Sequence, residues 1–277
     1  SMAEFYTTHE SWFAVFQLVF AMLGMGATLK LSDFQEIILE PLSVFSGSFI
    51  QLIVIPCLAF LFILFVGKMT SVAEGVAVGV ALIAAIPGGT SSNIFTHFAG
   101  GNVALSISIT AITTLACLVT TPLILDLLIS SYMPSDFVMP TVQIMKEITL
   151  NLLLPLIIGM VILRFLPALA RHLSIWCIRG SVLGLIVIFV GASIAGRLDV
   201  EQFGWDNVAL VSSFILVIVL VGWLAPAIAR LPKKDCIAIE MEVVVRSVNL
   251  GIMLKVAIFP AVDLSLIHIS EPTRRTP

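Results

Sequence analysis

Eight long apolar stretches limit what this chain of 277 residues can fold into. The hydrocarbon core of a bilayer, about 30 Å thick, requires roughly 20 apolar residues for each crossing helix. Stretches of that length lie at about 12–29, 42–66, 72–99, 103–129, 141–165, 176–196, 207–229 and 236–259. Only 11% of the residues are charged, against roughly 25% in soluble domains. The pattern predicts an all-α polytopic membrane protein embedded in a lipid bilayer, and the net charge of −3 argues against nucleic-acid binding.

The third stretch contains a polar interruption, PGGTSSN, where a continuous helix is expected. A backbone opened by Pro-Gly-Gly at 87–89 needs partners in protein or in a wet cavity. Residues with side-chain oxygens, the ligands that hard cations prefer, follow at once: Thr90, Ser91, Ser92 and Asn93. Ser106 and Thr110 lie four residues apart, on one face of the next stretch. A single hydroxyl in a membrane helix usually serves packing, but this cluster beside a helix break indicates an ion site.

The eighth stretch carries a carboxylate, Glu242, inside an apolar segment. Such a charge costs about 2.5–3.5 kcal/mol to insert, so an intramembrane carboxylate is a functional candidate by default. The alternative is a structural ion pair with Arg246, four residues later on the same helix. Gln51 in the second stretch either directs an amide oxygen into the same cavity or bonds to a neighbouring helix.

The two interrupted stretches are five crossings apart, so the chain passes through them in opposite directions. Broken helices in corresponding halves of an inverted repeat are typical of the binding site of a secondary transporter. The loops after the first, fifth and seventh stretches carry more Lys and Arg than the others, which predicts an outside N-terminus. We therefore expect an integral protein of a bacterial-type inner membrane.

Four quoted segments resemble the bile acid:sodium symporter family, and the resemblance covers about residues 12–260. They are "FAMLGMGATLKLSDF", "IQLIVIP", "IPGGTSSNIFTHFAGGNVALSISITAITTLACLVTTPLIL" and "IEMEVVVRSVNLG". The run Gly-Gly-Thr-x-Ser-Asn followed by Asn-Val-Ala-Leu-Ser is specific enough that chance similarity is not expected.

The resemblance implies two inverted five-helix repeats with two crossed discontinuous helices. A panel domain, at about 12–29 and 141–196, is expected to move against a core domain at about 42–129 and 207–260. The chain is similar to the nine-helix form, with its last helix replaced by a segment at 264–277 that resembles a non-native tail.

The resemblance also implies a set of site residues. The first sodium site is expected at Ser92, Asn93, Ser106, Thr110 and Glu242. The second is expected at Gln51, Glu242, Val243, Val245 and Arg246, with the two valines offering backbone carbonyls. The substrate-binding residues are expected to be Thr90, Arg246, Ser247 and Asn249.

One departure from the family pattern concerns the second sodium site. The bile-acid branch has glutamine at the position of Arg246 and asparagine at that of Ser247. A guanidinium group has donors and no acceptor, so it cannot coordinate sodium. Arg246 therefore either replaces the second cation or pairs with the carboxylate or sulfonate of the substrate.

The predicted function is sodium-coupled symport of an organic anion by alternating access, without enzymatic activity. Proton-coupled or uncoupled transport of an organic anion is the alternative, because a lone intramembrane carboxylate also suits a proton relay. An intramembrane serine hydrolase is disfavoured, since His97 is a poor geometric base for Ser91 or Ser92. A channel fits two opposed broken helices less well. Bile acids, pantoate-like acids, keto acids and sulfonated compounds all remain open as substrates.

Overall fold

A computed structural model describes residues 1–69, 74–133, 135–199, 201 and 204–258. The predicted non-native tail at 264–277 lies outside these residues. Within them, ten helices form the body of the fold: α1 (Met2–Gly26), α2 (Pro41–Lys68), α3 (Glu74–Ala85), α4 (Thr90–Phe98), α5 (Val103–Ile129), α6 (Thr141–Phe165), α7 (Pro167–Ile194), α8 (Trp205–Ile228), α9 (Lys233–Val244) and α10 (Val248–Ile258).

The prediction of an all-α membrane protein is confirmed. Five described helices, α2 and α5 to α8, are long and apolar enough to cross a bilayer. The number is six if α1 and the following helical segment Leu31–Leu39, which meet at 77°, are counted as one bent span. Apolar side chains on these helices are exposed in large numbers, as expected of surfaces that face lipid.

Two helix starts differ from the predicted stretches. Helix α1 begins at Met2 because Ser1 and Glu4 form a capping box that satisfies the first backbone N–H groups. Helix α7 begins at Pro167, where proline at the first helical position is favourable. Hydropathy detects the apolar part of a membrane helix and misses polar first turns that are still helical.

The third and eighth stretches are both broken in the middle, as predicted. The first break, at 86–89, separates α3 from α4, and the second, at 245–247, separates α9 from α10. A π-helical turn at Ile50–Val54 interrupts α2 beside these breaks and contains Gln51. Helices α4 and α9 contact each other, and both contact α5.

The remaining helices pack in two groups. Helices α1, α6 and α7, called here the α1–α6–α7 bundle, contact one another closely through glycines. A Cβ atom added at Gly26, for example, would lie 2.1 Å from the carbonyl oxygen of Leu156. Helices α2 to α5, α8 and α9 form the second group, and α10, which follows the second break and packs against α1 and α3, is counted with them in what is called here the crossing bundle. The two groups meet where α1 packs against α10 and where α5 packs against α6.

Candidate functional site

The two helix breaks cross each other and pair through their backbones. Gly88 and Arg246 form an isolated antiparallel bridge. The Ser247 N–H donates to the Pro87 carbonyl at 2.9 Å, and the Gly89 N–H approaches the Val245 carbonyl at 3.4 Å. Each break thus satisfies backbone groups that the other helix leaves without intrahelical partners, which an apolar interior requires.

Two glycines make the crossing possible because there is no room for a side chain. A Cβ atom at Gly88 would lie 2.0 Å from Glu242 Oε2, and one at Gly89 would lie 3.1 Å from the Arg246 carbonyl oxygen. The Pro-Gly-Gly sequence therefore opens the helix and also lets the second break and its carboxylate come into contact with the first.

A cluster of oxygens surrounds Glu242 in the last turn of α9, where this side chain is fully buried. Its Oε1 accepts hydrogen bonds from Ser92 Oγ at 2.7 Å, from Ser106 Oγ at 2.8 Å and from Thr110 Oγ1. Asn93 Oδ1 lies 2.8 Å from Ser106 Oγ and 3.2 Å from Thr110 Oγ1. The structure thus brings together all five side chains that were predicted to form the first sodium site.

The chemistry of this cluster suits a hard monovalent cation. Each of the three hydroxyl groups has one proton to donate, yet the Ser106 and Thr110 hydroxyls are each within reach of both Glu242 Oε1 and Asn93 Oδ1. Four oxygens of uncharged side chains therefore lie around a single carboxylate, three of them bonded to it and the fourth, Asn93 Oδ1, within reach of two of those three. Oxygen ligands with little total charge match the preference of sodium. The binding of sodium here stays a prediction.

Unpaired polar atoms lie on the other side of the same carboxylate. Glu242 Oε2 and both amide atoms of Gln51 are buried without a hydrogen-bond partner among the described residues. A Cβ at Gly88 would contact both groups, at 2.0 Å from Glu242 Oε2 and 3.6 Å from Gln51 Nε2. Buried polar groups are normally paired, so these three unpaired atoms are an exception within the described site.

The other residues predicted for the second sodium site are placed differently. The Val245 carbonyl receives the Gly89 N–H at the crossing. Val243 is buried, and its side chain packs against Gly222 of α8. Helix α9 ends at Val244, so Arg246 lies in the break and the predicted alternative of a helical i, i+4 ion pair with Glu242 is wrong.

Arg246 lines a cavity of about 830 Å³ between the two groups of helices. Its Nη1 donates to the Ile86 carbonyl at 2.9 Å, at the end of α3. Its Nε and Nη2 have no hydrogen-bond partner among the described residues. Most of the wall is apolar, as Ile83, Ile186, Phe189, Val211 and Ile252 illustrate. Arg246 is therefore a cationic side chain in a largely apolar wall, with two buried donors that have no partner among the described residues, and anion binding by it stays a prediction.

Two other predicted substrate residues, Ser247 and Asn249, are not among the residues that line this cavity. Ser247 is buried, and its Oγ accepts the Leu250 N–H at 3.4 Å in the first turn of α10. Asn249 is bonded to Gln17 and Ser181 of the α1–α6–α7 bundle. The side chain of Thr90 lies outside what the structure describes. Substrate binding by these three residues stays a prediction.

Two residues near the site were not singled out from the sequence. Thr96 donates to the Ser92 carbonyl at 2.7 Å and lies 3.3 Å from Ser106 Oγ. Its spacing of four residues from Ser92 would have placed it on the same helical face. Gln17 is an amide inside the first apolar stretch, and a polar side chain in such a stretch indicates a buried hydrogen-bond partner.

Comparison with known proteins identifies relatives of the chain. A family model described as "Sodium Bile acid symporter family" matches residues 15–195. A probable sodium/metabolite cotransporter of Arabidopsis thaliana, chloroplastic BASS1, is 31% identical over 241 residues, which cover 86% of this chain and 57% of the relative. The uncharacterized sodium-dependent transporter YocS of Bacillus subtilis is 29% identical over 259 residues, which cover 94% of this chain and 78% of the relative. The human ileal sodium/bile acid cotransporter is 27% identical over 233 residues, which cover 81% of this chain and 63% of the relative.

Proposed function

Because the chain belongs to the Sodium Bile acid symporter family, we propose that it is a sodium-coupled symporter of an organic anion. The family consists of transporters rather than enzymes, so a serine hydrolase is not a candidate. The observation that carries the proposal is the Glu242 carboxylate, buried at the helix crossing among the oxygens of Ser92, Asn93, Ser106 and Thr110.

Sodium is the proposed coupling ion at this cluster. A sodium ion in contact with Glu242 and the surrounding oxygens neutralises the carboxylate and replaces hydrogen bonds that the hydroxyls now share. It also links α4, α5 and α9, because its ligands come from all three helices. Its binding therefore fixes the geometry of the crossing in which the anion is received.

The anion is proposed to bind at Arg246. Arg246 lines the cavity, and its buried Nε and Nη2 have no hydrogen-bond partner among the described residues, so a carboxylate or sulfonate that reaches them would supply the missing acceptors. Arg246 lies four residues after Glu242, and the two side chains carry opposite charges. When sodium neutralises Glu242, the attraction weakens and the guanidinium is freer to pair with the anion. Sodium and anion then favour each other's binding, as symport requires.

Transport is proposed to proceed by alternating access. In this proposal the α1–α6–α7 bundle acts as the predicted panel and the crossing bundle acts as the predicted core. Movement of one against the other would expose the crossing to each side of the membrane in turn. The chain is proposed to lie in a plasma membrane with its N-terminus outside.

Uptake into proteoliposomes tests the proposal. An inward sodium gradient is expected to drive accumulation of one of three radiolabelled probes, taurocholate, pantoate or pyruvate, and an equal potassium gradient is not. The same experiment at fixed pH with a protonophore separates sodium coupling from the proton-coupled alternative. Equal uptake with sodium and potassium for every transported probe would refute sodium coupling.

A further inference from the structure

A polar contact joins the two groups of helices beside the second break. Asn249 Nδ2 donates to Gln17 Oε1 at 2.6 Å and lies 2.9 Å from Ser181 Oγ. Gln17 Nε2 in turn donates to the Asn249 carbonyl oxygen at 2.8 Å. Gln17 is in α1, Ser181 is in α7 and Asn249 is in the first turn of α10. Gln17 is fully buried, Ser181 is buried and Asn249 is half-buried.

The contact holds both the side chain and the backbone of Asn249. The amide of Gln17 also reaches the Ala14 carbonyl at 2.8 Å, which fixes its orientation on α1. Neutral hydrogen bonds in a buried site are costly to break unless new partners are found, because the separated groups stay desolvated. The second break is therefore attached to the α1–α6–α7 bundle at a defined position.

The contact also borders the cavity. Val182 and Val248, which line the cavity wall, are the chain neighbours of Ser181 and Asn249. Arg246 lies three residues before Asn249, and the intervening Ser247 N–H is held by Pro87 of the first break. If the two helix breaks move, Asn249 moves with them and pulls on its hydrogen bonds to the α1–α6–α7 bundle.

We infer that Gln17 and Ser181 are positioning residues that hold Asn249, and that this contact must open when the two groups of helices move. The inference rests on the proposed alternating-access function, and it assigns Asn249 to the contact between the groups instead of to the substrate. The contact, defined by Gln17, Ser181 and Asn249, stabilises the conformation described here relative to one in which α10 is displaced from α1.

Thiol labelling tests the inference without requiring a substrate. Met253 is fully buried in α10 and shares the helix face of Asn249, four residues earlier. In the full chain carrying Met253→Cys, N-ethylmaleimide reacts at residue 253 only when the interface opens to water. The rate is measured in potassium buffer, and peptide mass spectrometry separates this site from the four native cysteines.

Two contact variants are made in the Met253→Cys background, Asn249→Leu and Gln17→Leu. Each is expected to raise the labelling rate at residue 253 about fivefold for each net hydrogen bond lost. Asn151→Leu is the matched control, because Asn151 bonds to Glu147 within its own helix α6. It should leave the rate unchanged. In a second series, Leu125→Cys replaces Met253→Cys. Leu125 is fully buried in α5, so a rise in its labelling rate would show that the whole fold has loosened.

An unchanged rate at residue 253 in both contact variants would overturn the inference. An equal rise at residue 125 would overturn it too, because the substitutions would then loosen the whole fold. The labelling is done without sodium, so its result does not depend on sodium coupling. A failure of sodium-driven uptake would refute the proposed coupling and would leave the labelling result unchanged.

Discussion

Replacing Gly88 with alanine tests whether the position of the Glu242 carboxylate decides sodium binding. The added Cβ would lie 2.0 Å from Glu242 Oε2, whereas real Cβ atoms essentially never show contacts under 3.0 Å. The carboxyl group must therefore recede by about 1 Å. A movement of that size displaces Oε1 from its present position, 2.7 Å from Ser92 Oγ and 2.8 Å from Ser106 Oγ.

The expected loss of sodium affinity follows from these distances. A polar contact with a charged group contributes about 1.5–3 kcal/mol, so a carboxylate displaced relative to two of the oxygens that would share the ion with it weakens sodium binding by about 3–6 kcal/mol. Since about 1.4 kcal/mol corresponds to a factor of ten, sodium affinity should fall at least about 100-fold. The fold itself should change less, because the displaced atom is the end of a flexible side chain.

The assay is the sodium-dependent rise in Tm, with potassium as the reference ion. Sodium at 100 times its Kd stabilises the parent by about 2.7 kcal/mol, and a 100-fold weaker site leaves about 0.4 kcal/mol. For a chain of this size these values correspond to roughly 5–10 °C and roughly 1 °C. Gly251→Ala is the control, since its added Cβ would make an ordinary contact at 3.5 Å with Ile86. A full sodium-dependent rise in Gly88→Ala would refute the reasoning.

Three further substitutions test the site and its surroundings. Glu242→Gln removes the charge at nearly constant volume and should abolish the sodium-dependent rise in Tm, whereas Glu240→Gln, at a half-buried position two residues earlier, should retain it. Arg246→Gln should weaken taurocholate, pantoate or pyruvate binding or raise the Hill coefficient for sodium; if neither changes in calorimetry and uptake, both proposed roles are excluded. Asp235→Asn disturbs a buried carboxylate that accepts bonds from Ser43 and Asn102, at 2.6 and 3.0 Å, and should lower Tm by about 3–12 °C while the sodium-dependent rise persists. Loss of that rise would show that Asp235 also shapes the ion site.

The local sequence was sufficient to locate the breaks and the principal polar residues. Proline and two glycines at 87–89 cannot continue a membrane helix without partners, and their position in the third apolar stretch placed the first break. Glu242 was recognisable because a carboxylate is rare in an apolar segment. Ser106 and Thr110 were assigned to one face by their spacing, and the structure places both against Glu242.

Other features depended on contacts between distant segments. The hydrogen bond of Ser92 to Glu242 joins residues 150 positions apart. The sequence left three interpretations of Arg246, and the structure removed one of them, the helical ion pair with Glu242, because α9 ends before Arg246. The close approach of Gly88 to the Glu242 carboxylate and the contact of Gln17 with Asn249 had no counterpart in local spacing.

The sequence by itself determined a chain of membrane helices with two interrupted segments, because hydropathy acts locally and the interruptions are marked by Pro-Gly-Gly at 87–89 and by charged and polar residues between Glu242 and Asn249. Only the tertiary structure decided which side of Glu242 meets the hydroxyl groups, where the Arg246 side chain lies, and how Asn249 attaches the second break to α1. These outcomes depend on how helices far apart in the chain pack together, since a buried polar group takes whichever partner the fold brings within reach.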